Sequence, residues 1–338
     1  MRRVIVMGGA GFFGRNIVTL LRERGIDVVV ASRHAGGDVR IDVEDATALR
    51  ALLKRRDVVV DAAGPFQGRT PALLDAAIAA GCDVVDLSDS LAYTKFVYAR
   101  AMAISQAGIA VLTSCSSVSA VLAAMITVSR ISHPTRLRGF IRPASRETSH
   151  AATVRAFLAS IGRPIETFED GRPRSAIGWR RRRRFPGSAA RSGLVESAAA
   201  LTLPRAWWSL RTVEVYVDPN LPPALAMGLD VAAYLPPLQE AATRMLPAVL
   251  AAGKLLGSPR GAFAVEVEGA NGAAFTRILS ASRGSYLVAV LPAVLAASAL
   301  AGDRFAESGV VRADRQVDPD ELFTELRRSG IASRSGPT

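Results

Sequence analysis

The stretch GGAGFFG at residues 8–14 places Gly9, Gly11 and Gly14 in a G-x-G-x-x-G pattern, between an apolar run and a helical pattern. Glycine at 9 permits a tight turn, and glycine at 11 lets the backbone approach a pyrophosphate. Glycine at 14 lets the following helix lie close to the strand. A helix that starts there offers unpaired amides to an anion. Gly8, Gly9, Ala10, Gly11, Phe12, Phe13 and Gly14 are therefore candidate dinucleotide-binding residues, with a ligand-free tight turn as the plainer alternative.

The next apolar run ends VVVASRH at 28–34. An NAD site wants a carboxylate at this point, about 20 residues after the glycines, to hold the ribose hydroxyls. The chain instead has Ser32 and Arg33. A hydroxyl and a guanidinium can hold a 2′-phosphate that a carboxylate would repel. The expected cofactor is NADP(H); a solvated loop arginine is the alternative.

Candidate proton donors stand where later strands are expected to end. They are Asp86, Ser88 and Asp89 in VDLSDS, and Ser114, Cys115, Ser116 and Ser117 in TSCSSVS. Hydride transfer needs positioning and one proton donor. The competing role for each residue is a turn or helix cap. No Ser-His-Asp arrangement, HExxH, CxxC or Tyr-x-x-x-Lys occurs in the sequence.

These residues need a frame, and the first third of the chain supplies one. RRVIVMGG, IDVVVASR, DVRIDV, DVVVDAAG, CDVVDLS and IAVLTSC read as strands separated by helical patterns. Continuous apolar runs mark strands buried on both faces, and the alternation predicts a doubly wound parallel sheet. LRGFIRP, RTVEVYVD, AFAVEVEG and AFTRILSAS then suggest an antiparallel sheet in an α+β domain. Within it, residues 221–256 read as oily helices broken at Pro236-Pro237 and Pro247. The stretch 284–302 is uncharged and reaches the lower limit for a membrane span, but Pro292 and its alanines favour a buried core helix. DPDELFTELRRSG predicts a capped helix, and ASRSGPT a frayed end. The expected domains are 1–130 (Rossmann), 131–283 (α+β, for substrate or oligomerisation) and 284–338 (C-terminal helices on the Rossmann domain).

Two cysteines exclude a disulfide framework and three scattered histidines argue against a histidine-built metal site, so no metal and a cytoplasmic setting are expected. A net charge of +12, nearly all from arginine, points to anionic partners, although an arginine- and alanine-rich chain is also what a GC-rich genome encodes. WRRRRRF at 179–185 has no aromatic interleaving and lies in no nucleic-acid fold, so nucleic acid is not expected. It reads first as a charge-protected edge strand, and second as a contact for an anionic membrane or acidic substrate, helped by the oily 221–256 segment and Trp207-Trp208. A peripheral membrane contact and a homodimer stay open.

Taken together, GGAGFFGRNIV, the ASR ending, VRIDVEDATALRALL, DVVVDAAGPFQGRTPALLDAAIAAGCDVVDLSD, TSCSSVSAV and the tail SGVVRADRQVDPDELFTELRRSGI resemble the saccharopine dehydrogenase-like reductases. The resemblance covers the first 130 residues and the last 60, and is faint through 140–280. It implies an NADP(H)-binding Rossmann domain, an inserted α+β domain and C-terminal helices returning to the Rossmann side. It adds Asp42 to the cofactor set and puts Ala63, Gly64, Pro65 and Phe66 beside the nicotinamide and ribose. There Gly64 would admit backbone to the cofactor, Pro65 stiffen the loop and Phe66 supply an apolar wall. VDLSDS departs from the family, which commonly has Gly-Glu within that stretch. The function expected is NADP(H)-dependent oxidation or reduction of a small or lipid-like substrate; the alternative is a non-catalytic NADP-binding regulator or scaffold.

Overall fold

The computed structural model describes residues 1–235, 244 and 246–336. It divides into two compact units, residues 1–121 with 289–322, and 122–288 with 323–338.

The first unit is built on six parallel strands: β1 (Val4–Met7), β2 (Val28–Ser32), β3 (Val39–Arg40), β4 (Val58–Asp61), β5 (Asp83–Asp86) and β6 (Ala110–Leu112). They lie in the order 6-5-4-1-2-3, so the strand order reverses at β1. Gly309–Val310 pairs in parallel with β6 and adds a seventh strand. Every residue of β1, β4, β5 and β6 is buried, as helices on both faces of a parallel sheet require. Each buried valine contributes about 1.5 kcal/mol or more.

Helix α1 (Phe12–Glu23) turns Ile17, Val18 and Leu21 onto the sheet. Asp45 caps α2 (Ala46–Leu52) by accepting from the Thr47 and Ala48 amides, both at 3.0 Å. Helix α3 (Ala72–Ala80) stops at Gly81, whose φ of 71° ends the helical path. Between β5 and β6 the chain forms two helices, α4 (Leu91–Ala99) and α5 (Ala101–Ala107), with a break at Arg100. At the sheet's amino edge, Arg2 bonds Asp83 at 2.6 Å and Arg3 bonds Asp57 at 2.5 Å, so the opening arginines are structural clips.

The second unit holds a nine-stranded sheet. Its centre is Pro134–Arg142, antiparallel to Gly261–Gly269 and parallel to Thr212–Val217. The sheet is therefore mixed, which corrects the antiparallel expectation. The segment 143–211 between the two parallel strands supplies the long crossover that parallel pairing needs. Phe140 stacks on Tyr216 at 5.4 Å and meets Phe185 at 6.0 Å in the core. The end expected to fray instead forms the strand Ala332–Gly336 against Ala274–Ala281. Asp318 caps the helix Pro319–Arg328 as expected, accepting from the Glu321 amide at 2.8 Å.

Leu287–Ala301 is a largely buried helix that contains Pro292, in agreement with the core reading of that stretch. No described helix is long and apolar enough to cross a membrane. Pro223–Ala232 and Leu246–Leu256 are helical, with Pro247 inside the second, whereas Pro236-Pro237 lies outside the described residues.

Candidate functional site

The glycine turn lies at the carboxyl end of β1, where the strand order reverses. Gly9 donates its amide to the Ala31 carbonyl at 3.1 Å, and Gly11 donates to that of Gly8 at 2.8 Å. Gly8 has φ 71°, and a Cβ there would stand 2.8 Å from the Ala63 Cα and 2.9 Å from the Ala62 carbonyl carbon. A Cβ at Gly14 would fall on the Gly8 carbonyl. Gly11 precedes α1 in extended conformation and no side chain caps that helix, whose amino end favours an anion.

Beside this turn is an open cleft. Its walls are Met7 and Gly8, Ala31 from β2 and Arg33 just after it, residues 41–44 after β3, the corner Ala63-Gly64-Pro65, and Arg69. Gly8, Arg33, Asp42, Ala63, Gly64 and Pro65, distant in sequence, are thus brought onto one surface. The Arg33 Nη1 is 3.9 Å from the Asp42 Oδ2, with both side chains about half exposed. Ser32 is buried, and its Oγ accepts from the His34 amide at 3.2 Å. Phe12 and Phe13 make an edge contact at 5.2 Å and, like Ser32, do not line the cleft.

The corner owes its shape to residues that sequence reasoning missed. Asp61, which ends β4, is fully buried and accepts from the Ala63 amide at 3.0 Å. Arg69 donates to Asp61 at 3.1 Å, to the Ala63 carbonyl at 2.7 Å and to Glu44 at 2.7 Å. Its guanidinium also lies 5.3 Å from the Phe66 ring and 5.6 Å from the Tyr93 ring. Phe66 is turned inward onto Tyr93, at 5.2 Å edge-on, and is not on the cleft wall. Burial pushes the Asp61 carboxyl up, against the opposing pull of Arg69 and the Ala63 amide. The Gly64-Pro65 bond is cis. The available signal was an aspartate ending an apolar strand with an arginine eight residues on, which does not by itself announce a pair.

The candidate proton donors form a second cluster, past the ends of β5 and β6. Asp86 is buried; its Oδ1 accepts from the amides of Ser88 at 3.0 Å and Ser114 at 2.8 Å. Its Oδ2 has no hydrogen-bond partner among the described residues. Burial raises its pKa to about 6, against the two amides, which favour the charged form. Burial also raises Asp89, whose Oδ1 accepts from the Gln67 side chain at 3.1 Å and so ties this cluster to the corner. Ser88 is occupied as acceptor for the Ser90 amide at 3.1 Å, and Ser90 caps α4. Ser114 sits at φ 55° with its Oγ 3.1 Å from that of Thr94. Cys115 is buried with its thiol pushed up by desolvation. Ser116 is buried, with its amide donated to the Ser114 carbonyl at 2.7 Å, and Ser117 opens a π-turn. Of these candidates, the two aspartates are the ones whose proton affinity the fold moves toward neutral pH. No group of three or more His, Cys, Asp and Glu among the described residues could hold a metal ion.

Residues 4–112 match the family model for the Saccharopine dehydrogenase NADP binding domain. No curated protein matches the chain. Among solved structures, the apo saccharopine dehydrogenase (L-Glu forming) of Saccharomyces cerevisiae aligns over 99% of this chain and 100% of its own, at 15% identity and a TM-score of 0.62. A dehydrogenase from Chromobacterium violaceum aligns over 97% and 94% of the two chains, at 9% identity and a TM-score of 0.43. An oxidoreductase from Agrobacterium radiobacter, solved with NAD+, L-tartaric acid and magnesium, aligns over 99% and 98%, at 14% identity and a TM-score of 0.40. The last two alignments are too loose to carry an argument, and the first speaks for the fold alone. Residues 4–112 thus match the saccharopine dehydrogenase NADP-binding family, and the chain as a whole has the fold of a saccharopine dehydrogenase.

Proposed function

We propose that this protein is an NADP(H)-dependent oxidoreductase that acts by hydride transfer on a small or lipid-like organic substrate. The observation that carries the reading is the wall of the cleft: Gly8 at the head of the glycine turn, Arg33 and the Ala63-Gly64-Pro65 corner on one surface, with no carboxylate at the end of β2. NADP(H) bound there would supply the hydride. The amino end of α1 would bind the pyrophosphate. Arg33 would bind the 2′-phosphate, exchanging a loose, exposed contact with Asp42 that is worth about 1 kcal/mol at most. The corner, clipped by Arg69, would support the ribose and nicotinamide. Asp86 and Asp89 are the candidates for holding a proton near the reaction, because burial raises both.

The test compares NADPH and NADH binding to the wild type and to Arg33→Ala, followed by a panel of aldehydes, ketones and imines read through cofactor absorbance. NADPH should bind the wild type at least tenfold more tightly, and the preference should vanish in the variant. Equal affinity for NADH in the wild type would sink the NADP assignment. Tight NADPH binding with no turnover across a broad panel would favour a non-catalytic NADP-binding regulator.

A further inference from the structure

The two units differ sharply in charge. The second, residues 122–288 and 323–338, has 25 Lys and Arg against 12 Asp and Glu, so it carries more than the whole net charge of the chain. Within this unit the helix Pro223–Ala232 inverts the usual surface pattern. Ala224, Met227, Gly228 and Val231 are exposed at helical spacing, and Leu235 continues the stripe just past the helix end. Met227 is 65% exposed, Val231 46% and Leu235 48%. The sole charged residue of 221–235 is Asp230, whose side chain is 44% exposed. It accepts from the Trp179 indole at 2.8 Å and pairs with Arg182, so its charge is matched locally. The stripe residues themselves are uncharged. A surface helix normally places its polar residues there, and a contiguous exposed apolar patch marks an interaction site.

The arginine run borders this stripe. Arg182 is fixed by Asp230, and the Arg180 guanidinium lies 4.9 Å from the Tyr234 ring while donating to the Ala233 carbonyl. Arg180, Arg184 and the neighbouring-strand Arg191 are exposed, whereas Arg183 donates to the hydroxyl of the buried Tyr216 at 3.3 Å. Apolar residues in a stripe with guanidinium groups along its border match the chemistry of an acidic lipid surface: acyl chains take the first, headgroup phosphates the second. A second copy of the chain would bring like charge to like charge. Nucleic acid would leave the aliphatic stripe without a partner.

We propose that the Pro223–Leu235 segment and the arginines beside it dock this protein peripherally on anionic membranes. The proposal is independent of the cofactor reading, and NADPH binding serves only as one control for folding.

The test is flotation of the full chain with phosphatidylcholine vesicles, with and without phosphatidylglycerol. The protein should float with the anionic vesicles only, and less so as salt is raised. Replacing Arg184 and Arg191 together by Ser should lower the partition coefficient about twenty-five-fold, at roughly a factor of five for each arginine. Met227→Asp with Val231→Asp should abolish flotation while thermal melting and NADPH binding stay unchanged. If that pair fails to fold, Met227→Cys carrying an environment-sensitive dye should shift to the blue on anionic vesicles. No flotation, flotation unaffected by the stripe variants, or no dye shift would overturn the proposal. So would a stripe whose variants instead split a dimer or release bound RNA.

Discussion

The Arg69 guanidinium reaches the buried carboxylate of Asp61 at 3.1 Å and, with another nitrogen, the carbonyl of Ala63 at 2.7 Å. It therefore spans the corner that follows β4. Removing one partner of a buried pair costs about 3–5 kcal/mol, because the other charge is left uncompensated. Arg69→Met is expected to lower the unfolding free energy by about that amount and to weaken NADPH binding. Asp61→Asn with Arg69→Met should be less destabilised than Arg69→Met alone. Chemical denaturation of the full mutant cycle measures this, and strict additivity would rule out the coupling.

Asp86 predicts a pH dependence with a definite sign. Its carboxyl is raised from 3.8 to about 6 in the fold, so the folded state binds the proton more tightly than the unfolded state does. This group therefore stabilises least above pH 6, and its contribution improves as pH falls from about 6 toward 4. Asp86→Asn removes the buried charge and keeps an oxygen for the Ser88 and Ser114 amides. At pH 8 the variant should be more stable than wild type by up to about 3 kcal/mol, and the gap should close toward pH 4. Melting curves across that range decide it; a gap that widens on acidification would contradict the assignment.

Within the arginine run, position should matter more than charge. Arg181 reaches Glu214, which is 4% exposed, at 2.5 Å and Glu169 at 2.7 Å, whereas Arg184 is exposed on the edge strand. Arg181→Ser should cost about 1–2 kcal/mol. That is less than for an isolated buried pair, because Arg181 is itself partly exposed and Arg138 remains 3.4 Å from Glu214. Arg184→Ser should fall within about 0.5 kcal/mol of wild type. Equal losses in the two variants would show that the run acts through net charge alone.

Gly193→Ala places a methyl on the six-membered ring of Trp179, which is 1% exposed and bonded to Asp230. Overpacking of this kind costs about 1–3 kcal/mol. The expected signature is a lower melting temperature with an altered near-UV signal from the indole, and NADPH affinity unchanged.

The parallel sheet and glycine turn were legible because both are local signals: apolar runs of strand length, and glycines at fixed spacing. The position of Arg33 on the cleft wall was legible for the same reason, as a residue at a known distance from the turn. Arg69 was not, since nothing local distinguishes an arginine that clips a corner from one that faces water. Of the arginine run, only Arg182–Arg184 lie on an edge strand, and Arg180 and Arg181 precede it outside the strand. The run's partners Glu169, Glu214 and Asp230 lie at least 12 residues away, so its structural share became visible only through tertiary pairing. The parallel pairing of Thr212–Val217 with Pro134–Arg142 was hidden too, because alternating polarity in a strand does not encode the direction of its neighbour.

The contact between Gly8 and residues 62–63 has a genetic consequence. The atoms that would meet a methyl at position 8 are main chain: the Ala63 Cα and the Ala62 carbonyl. Trimming a neighbouring side chain cannot make room for it. A selection for suppressors of Gly8→Ala should therefore return true revertants to glycine, with no second-site change at position 62 or 63.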